Sequence, residues 1–559
     1  VYLPWVDMDQ LMREAKLPLF SLESKHAIAD FQILAVSLPY DTVYSNLLAL
    51  LDLSKIPLRV EDRDNTHPLV IAGGHATFNP EPTWAFVDAF AIGEGEEVLL
   101  EIARATHAWR ESGADRATLH RQLARLEGVY VPSLYRVQEH DDGRISHVEA
   151  MADAPLPVSK RVVGSLPPPP RNHLVPNLET IHDRATVEIM RGCSRGCRFC
   201  HAGFVTRPIR ERSVDDIVTA IEHAIECTGF SEVGLLSLSS SDYSDVLELV
   251  NRLRERFEEQ KLNISLPSLR IDSFSIELMQ ALAGTSRRGG FTLAPEAASE
   301  RIRKIINKPV STEQVVRTAR EVFEHGWHTI KLYFMIGHPG EELEDVQAIA
   351  DLCHAVLAEG RAAMGGRAKV NISVGTFVPK PHTPFQWVPC DTPEQIRAKQ
   401  SLLRQRLRHR AFKLSWSGIE ETMLEAQLSR GDRRLADVIE TAYALGVRFD
   451  AWQEHFRPDL WQQAFAQHGL DPHDYSHRQR ELDETLPWDH IDAGVEKKVL
   501  AEEYQRGLAG ETREDCASEC YACGILRRFK PLQQTSSTPW KCPQPNNGLV
   551  APEAQETHS

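Results

Sequence analysis

Between residues 186 and 388, six short apolar segments (TVEIMR, EVGLLSLSS, ISLPSLR, GGFTLAPE, TIKLYFMIG and KVNISVGTFVP) are interleaved with helix-period segments. The helical segments are VDDIVTAIEHAIECT, YSDVLELVNRLRERFEEQ, EQVVRTAREVFEHG and LEDVQAIADLCHAVLAEG. Strands that alternate with amphipathic helices form parallel sheets through right-handed crossovers, which excludes sandwiches and coiled coils. Six such strands predict a complete or partial βα barrel of TIM type, (βα)6, over 186–390, with its chemistry at the C-terminal ends of the strands.

The same alternation occurs earlier, in FQILAVSLP, SNLLALLDL, PLVIAGG, DAFAIGEGEE and VLLEIARATHAW. The unbroken apolar run LVIAG suits a parallel strand buried on both faces, so residues 1–164 are expected to form a Rossmann-like α/β domain. Gly73, Gly74, Gly93 and Gly95 end its strands, where an open α/β sheet has its ligand crevice, although tight turns alone would also use glycine there. GVYVPSLYRV and DDGRISHVEA read as short strands joined by an Asp-Gly hairpin signal. SLPPPPR then cannot be helix or central strand, so 165–185 is expected to be a linker.

After 390 the sequence turns helical and charged, giving a helical C-terminal region over 391–510, a Cys-rich metal segment over 511–530 and a Pro, Ser, Gln and Asn rich tail, 531–559, expected to be disordered. A chain of 559 residues exceeds what one core usually organises. A net charge of −16 disfavours sequence-independent binding to a phosphate backbone. No apolar run reaches the ~18–20 residues that span a bilayer, and VYLPWVDMDQ lacks a basic segment followed by an apolar one, so a soluble cytoplasmic protein without a membrane partner is expected.

Six of the ten cysteines fall into two tight triplets. In a reduced compartment this spacing points to metal binding rather than disulfides. The first, RGCSRGCRFCHAG, places Cys193, Cys197 and Cys200 on a glycine-punctuated loop directly after the first barrel strand. Three local thiolates on a four-iron cluster leave one iron free for a non-protein ligand. A structural zinc site would more often use two Cys-x2-Cys pairs or a further local ligand, for which His201 is a weak candidate.

This loop resembles that of the radical S-adenosylmethionine (SAM) superfamily, recognised by Cys-x3-Cys-x2-Cys at the first strand of a βα barrel. The resemblance implies a [4Fe–4S] cluster whose open iron chelates SAM, an electron donor such as a flavodoxin or ferredoxin, and reductive cleavage of SAM to a 5'-deoxyadenosyl radical acting on an unknown substrate. It puts Phe199 beside the adenine, and Glu296 and Arg301 of APEAASERIRKIINK among contacts to the methionine or ribose part of SAM. Gly337, with Pro339 and Gly340 in KLYFMIGHPGE, lies in the segment whose backbone passes the adenine. Ser239 of SLSSSDYSD is placed where it would face the cofactor. That string lacks the Gly-Gly-Glu type of sequence of many relatives, and its Ser and Asp residues would also serve as helix caps.

Upstream, PLVIAGGHATFNPEPTWAFVDAFAIGEGEE resembles the vitamin-B12-binding-type domain fused to many radical SAM enzymes. LPWVDMDQL, PLFSLES, LLALLDLSKIPL, SLRIDSFS, HTPFQW and the distal cysteines extend the likeness to one B12-type radical family over nearly the whole chain. Cobalamin enters as a further cofactor by that resemblance. The Asp-x-His-x-x-Gly string that ligates cobalt does not occur, and His75 reads as a loop residue, so any bound cobalamin is expected to lack a protein ligand from below. The chain starts after the expected first strand and helix of such a domain, so its sheet is expected to be incomplete.

The second triplet, Cys516, Cys520 and Cys523, repeats the first spacing. It reads as a second iron–sulfur cluster or as zinc completed by Cys542 or a histidine. Cys227 and Cys353 fall in helical patterns and are expected to be buried small hydrophobes, while Cys390 sits in a loop. RQRLRHRAFK (404–413) is a basic stretch that either contacts RNA or covers a helix. Phe385 and Trp387 of PKPHTPFQW close the barrel mouth in related enzymes. The leading expectation is thus a radical SAM enzyme. The alternatives are methylthiotransferase-like modification of RNA or protein, and a non-catalytic iron–sulfur scaffold.

Overall fold

The computed structural model describes residues 2–543 apart from 172, 177–179, 181, 268, 272–275 and 284–289. The tail beyond 543, parts of the 165–185 linker and much of SLRIDSFS therefore lie outside the described residues. The chain forms two compact units, neither continuous in sequence: residues 1–163, 378–393 and 418–497 make the first, and residues 164–377, 394–417 and 498–559 the second. This differs from the division into consecutive segments, because the helical region expected over 391–510 is shared between the units.

In the first unit, β1 (Ile33–Ser37), β2 (Leu69–Gly73) and β3 (Ala89–Ala91) pair in parallel, and β4 (Val129–Tyr130) adds antiparallel to β3. Leu69, Ile71, Ala89 and Ala91 pack against Val98, Ile102 and Trp109 of the helix Gly95–Ser112, which continues the apolar stripe of VLLEIARATHAW. The Asp-Gly turn closes the hairpin of Tyr135–Glu139 with Ile145–Ala150. Ion pairs tie the late segments in. Glu81, fully buried, meets Arg433 at 2.5 Å and His490 at 3.3 Å, and accepts from the Tyr130 hydroxyl at 2.6 Å. Lys380 pairs with Asp41 at 2.6 Å and Glu425 at 2.9 Å. Phe385 and Trp387, expected at the barrel mouth, belong to this unit and are completely buried in it.

His382 is also buried here, its Nε2 2.9 Å from the Phe78 carbonyl. Burial pushes its imidazole down to about 4, which the bond to Phe78 opposes. A depressed base contributes stability that is complete above its unfolded value near 6.5 and is lost as pH falls toward 4. Between pH 7 and pH 5 this one group costs about 2 kcal/mol. Urea unfolding at the two pH values should therefore show a shallower pH dependence for His382→Gln, which keeps a donor for the carbonyl. An unchanged dependence would remove His382 from the account.

In the second unit, β5 (Ala185–Glu188), β6 (Glu232–Leu236) and β7 (Asn263–Ser265) form one parallel sheet. A second parallel sheet contains β8 (Phe291–Glu296), β9 (Thr329–Ile336), β10 (Lys369–Thr376) and β11 (Phe412–Trp416). Each of the six anticipated barrel strands is present, and β11 is an additional one in the stretch read as helical. The helices start at Ser213 and Ser311, whose hydroxyls accept from the N–H groups of Asp216 and Gln314. Val187, Val233, Leu235 and Ile264 pack with Ile217, Ile221, Leu249 and Leu253 of the covering helices. Side chains alternate across a strand, so Thr186, Leu236, Thr292, Lys331 and Tyr333 turn to the other face, where they are exposed. The inner face thus carries accessible polar, aromatic and aliphatic side chains.

The basic stretch is built into this unit, with Arg404 stacked 4.8 Å from the Trp416 ring and Arg406 Nη2 3.3 Å from Gln347. Two expectations are corrected. Cys353 is buried, but Cys227 is exposed beside His223, because the buried face of its helix runs through Ile217, Ile221 and Ala224. The described part of the tail is folded: Lys530–Thr535 is helical, and the Trp540 Nε1–H donates to the Gly164 carbonyl at 2.8 Å. The Ser536 hydroxyl reaches the same carbonyl at 2.6 Å. Its polar composition is used for hydrogen bonds. No helix among the described residues is long and apolar enough to cross a membrane.

Candidate functional site

The loop carrying Cys193, Cys197 and Cys200 leaves the C-terminal end of β5 and is closed at its neck by an antiparallel pair, Met190–Arg191 with Arg210–Glu211. Gly192 has φ +89°, and a Cβ there would meet the Pro208 carbonyl oxygen at 2.6 Å, so the neck requires glycine. Cys200 caps the short helix His201–Val205, its Sγ accepting from the Gly203 N–H at 3.3 Å. Burial pushes the Cys193 thiol up to about 12 and the Cys200 thiol up to about 11, and in each case the facing Cys197 adds to the effect. At Cys193 the Arg270 guanidinium, which donates to Cys197 Sγ at 3.7 Å, opposes it, and at Cys200 the Gly203 N–H and Lys308 do.

The loop is anchored from three sides. Buried Arg198 donates to Glu503 at 3.1 Å and to the carbonyls of Lys304, Ile305 and Glu511 at 3.1, 2.9 and 2.8 Å. Its helix partner comes close because residue 507 is glycine: a Cβ there would lie 3.0 Å from Arg198 Cδ. Asn307 donates to the Gly196 carbonyl at 3.2 Å. Arg195 pairs with Asp242 at 2.6 Å and with Asp515 at 2.9 Å.

Phe199 stands 6.3 Å from the His338 ring, which is 5.9 Å from Phe377, so an aromatic ladder crosses the ends of β9 and β10. His338 is buried, and that burial pushes it down to about 4. Glu296 ends β8 at a register shift, with φ +64°. Its carboxylate accepts from Lys308 Nζ at 3.0 Å. Strain at a non-glycine residue costs about 1–3 kcal/mol and tends to gather at ligand sites. Gly337 has φ +91°, and its N–H donates to Glu341 at 2.7 Å. The Ser239 hydroxyl donates to Asp242 at 2.6 Å, so this serine steadies the carboxylate that holds Arg195 and does not cap the following helix. Arg301 is committed to Asp345 and to the Gly340 carbonyl, with its side chain 48% exposed.

Sequence reasoning missed Arg270, Arg198, His338 and Asp515. Arg198 lies inside the first cysteine motif and Asp515 directly before Cys516, but neither motif assigns a role to the residues between or beside its cysteines. Among the described residues no three His, Cys, Asp or Glu side chains form a group that would already hold a single metal ion. Three free thiols facing one another on one loop, with a guanidinium against them, nevertheless are the donor set that an iron–sulfur cluster takes.

Residues 187–353 match the family described as Radical SAM superfamily, and residues 1–132 match Radical SAM proteins, N-terminal. An uncharacterized protein of Methanocaldococcus jannaschii is 27% identical over 433 residues, 77% of this chain and 84% of that one. The threonylcarbamoyladenosine tRNA methylthiotransferase of Treponema pallidum is 25% identical over 43% of this chain, which spans 48% of it. A solved radical S-adenosylmethionine methyltransferase of Kitasatospora setae, with cobalamin and a [4Fe–4S] cluster bound, is similar at 14% identity and a TM-score of 0.49, over 83% of this chain and 91% of that one. The family implies a [4Fe–4S] cluster and SAM as cofactors, with a reductant and a substrate as partners. The chain belongs to the radical SAM superfamily and is a radical SAM enzyme.

Proposed function

We propose that Cys193, Cys197 and Cys200 hold the [4Fe–4S] cluster at which SAM is cleaved, and that the substrate is met on the accessible inner face of β5–β11. The observation that carries this reading is the convergence of the three thiols, Arg270 and the Phe199–His338–Phe377 ladder at the strand ends. When bound, the cluster supplies the electron that breaks the sulfonium bond and yields the 5'-deoxyadenosyl radical.

The chain's own residues set the geometry. Arg198, Asn307 and Arg195 fix the loop. Phe199 offers a ring face for the adenine. The strained Glu296, held by Lys308, presents polar contacts at the end of β8, and Gly337 lets backbone pass close to the nucleoside. Ser239 acts through Asp242, and Arg301 contributes through the turn at Gly340. Cobalamin, in this reading, would take the strand ends of the first unit at Ser37, Gly73 and Ala91, with no histidine ligand from below. Absorbance of a cobalt corrin retained after gel filtration would test that part separately.

The likeness to the tRNA methylthiotransferase favours a second reading, methylthio transfer to RNA or protein. It predicts sulfur incorporation into a bound substrate and not radical chemistry alone.

Anaerobically reconstituted protein, given SAM and dithionite, is expected to release 5'-deoxyadenosine, and Cys193→Ala/Cys197→Ala/Cys200→Ala to release none. Equal release from the triple variant would refute the assignment of these thiols. Release from neither protein would favour the non-catalytic scaffold.

A further inference from the structure

The C-terminal segment returns to the first cysteine loop at both of its ends. At one end, the Cys516 N–H donates to the Ser194 carbonyl at 3.2 Å, and the Ser194 hydroxyl donates to Asp515 at 2.8 Å. At the other, Trp540 forms an antiparallel bridge with Arg210, the Lys541 N–H donates to the Ile209 carbonyl at 3.1 Å, and Lys541 Nζ pairs with Glu211 at 2.9 Å. The segment 515–541 thus spans the two sides of the neck strand Arg210–Glu211 and the cysteine loop, with Arg207 between its ends. The Arg207 Nε donates to the Gly203 carbonyl at 3.1 Å, and its guanidinium lies 4.8 Å from the centre of the Phe204 ring.

Three of the four distal thiols, Cys516, Cys523 and Cys542, gather at this guanidinium together with Cys193. Burial opposes the Arg207 charge, and Cys516, Cys523, Cys193 and Cys542, in that order, outweigh it. Burial pushes the Cys542 thiol up to about 12, and Cys516, Cys523 and Cys520 all add to that. All four are half-buried free thiols. The backbone between Cys520 and Cys523 is turned sharply, Ala522 taking φ +51° without being glycine. A left-handed alanine persists where the surroundings dictate it, and such residues cluster at ligand clamps.

We propose that Cys516, Cys520, Cys523 and Cys542 ligate a second iron–sulfur cluster that fastens the C-terminal segment to the first cysteine loop. The repeated Cys-x3-Cys-x2-Cys spacing favours a cluster over zinc. With four protein thiolates no iron is left open, so this site does not chelate SAM. Arg207 offsets the negative charge of the tetrathiolate centre.

The inference is independent of the role given to the first triplet, and the experiment separates them. Full-length Cys193→Ala/Cys197→Ala/Cys200→Ala protein, reconstituted with iron and sulfide, is expected to retain about four irons and as many sulfides per chain. Adding Cys542→Ala or Cys542→Ser should lower that iron at least twofold. It should also speed tryptic cleavage at Arg528 and Lys541, a readout that does not depend on turnover. Stoichiometric zinc in place of iron overturns the cluster, and iron indifferent to both Cys542 variants overturns the fourth ligand. A triple variant without metal overturns the site. Loss of 5'-deoxyadenosine in otherwise unaltered protein concerns the first triplet alone.

Discussion

Arg198→Met should destabilise the second unit by about 3–5 kcal/mol, the range for breaking a buried ion pair by removing one partner. The side chain is fully buried, and its guanidinium serves a carboxylate and three carbonyls. Methionine fills much of the volume but satisfies none of them. Glu503 keeps Arg513 at 2.6 Å, so the larger part of the cost falls on the carbonyls of Lys304, Ile305 and Glu511 and on the loop itself. Because Arg198 sits between Cys197 and Phe199, the loss is also expected to appear as poor iron retention after reconstitution. Urea unfolding and iron content would both be measured, and an unchanged midpoint with full iron would show that the loop does not depend on this buttress.

A comparable loss is expected in the first unit from Asp88→Ala. The Asp88 carboxylate is fully buried and accepts from Arg63 at 2.9 Å, Arg116 at 3.0 Å and the Val70 N–H at 2.9 Å, with His120 at 3.1 Å. Burial opposes its charge, yet His120, Arg63 and Arg116 outweigh burial and hold it well below the usual carboxylate range. Alanine leaves two buried guanidinium charges uncompensated, although both keep carbonyl acceptors, at a cost of about 3–5 kcal/mol. A carboxylate with a depressed value contributes stability that is complete above about 4 and is lost as pH falls through the folded value. The unaltered chain should therefore weaken in acid, and Asp88→Asn should lose most of that carboxylate's contribution already at pH 7. If Asp88→Ala unfolds at the same urea concentration as the unaltered chain, the network is not what holds Val70 and the helix Arg116–Leu123 together.

The barrel was legible because each strand from Ala185 to Thr376 carries its own apolar run and each helix its own stripe. Local periodicity of this kind survives folding wherever burial is one-sided. The loop at Cys193, Cys197 and Cys200 was legible because its three thiols are close in sequence as well as in space. Residues that act across long separations left no such trace. Arg198 meets Glu503, and Asp41 meets Lys380, through side chains hundreds of positions apart. FKLSW gave no strand signal after a basic helix, since β11 is half-exposed and its pairing with β10 supplies the order. Cys227 was misjudged because the helix period identifies the stripe more reliably than its edge.

The composition of the first unit from three separate stretches has a consequence for how the protein is made. Glu81 emerges from the ribosome hundreds of residues before Arg433 and His490, and Asp41 waits equally long for Lys380. Until the later stretches are translated, Glu81 and Asp41 have the Tyr130 and Tyr44 hydroxyls of the N-terminal stretch but not these cations. A fragment ending at residue 163 would be cut at a chain boundary but not at a folding boundary.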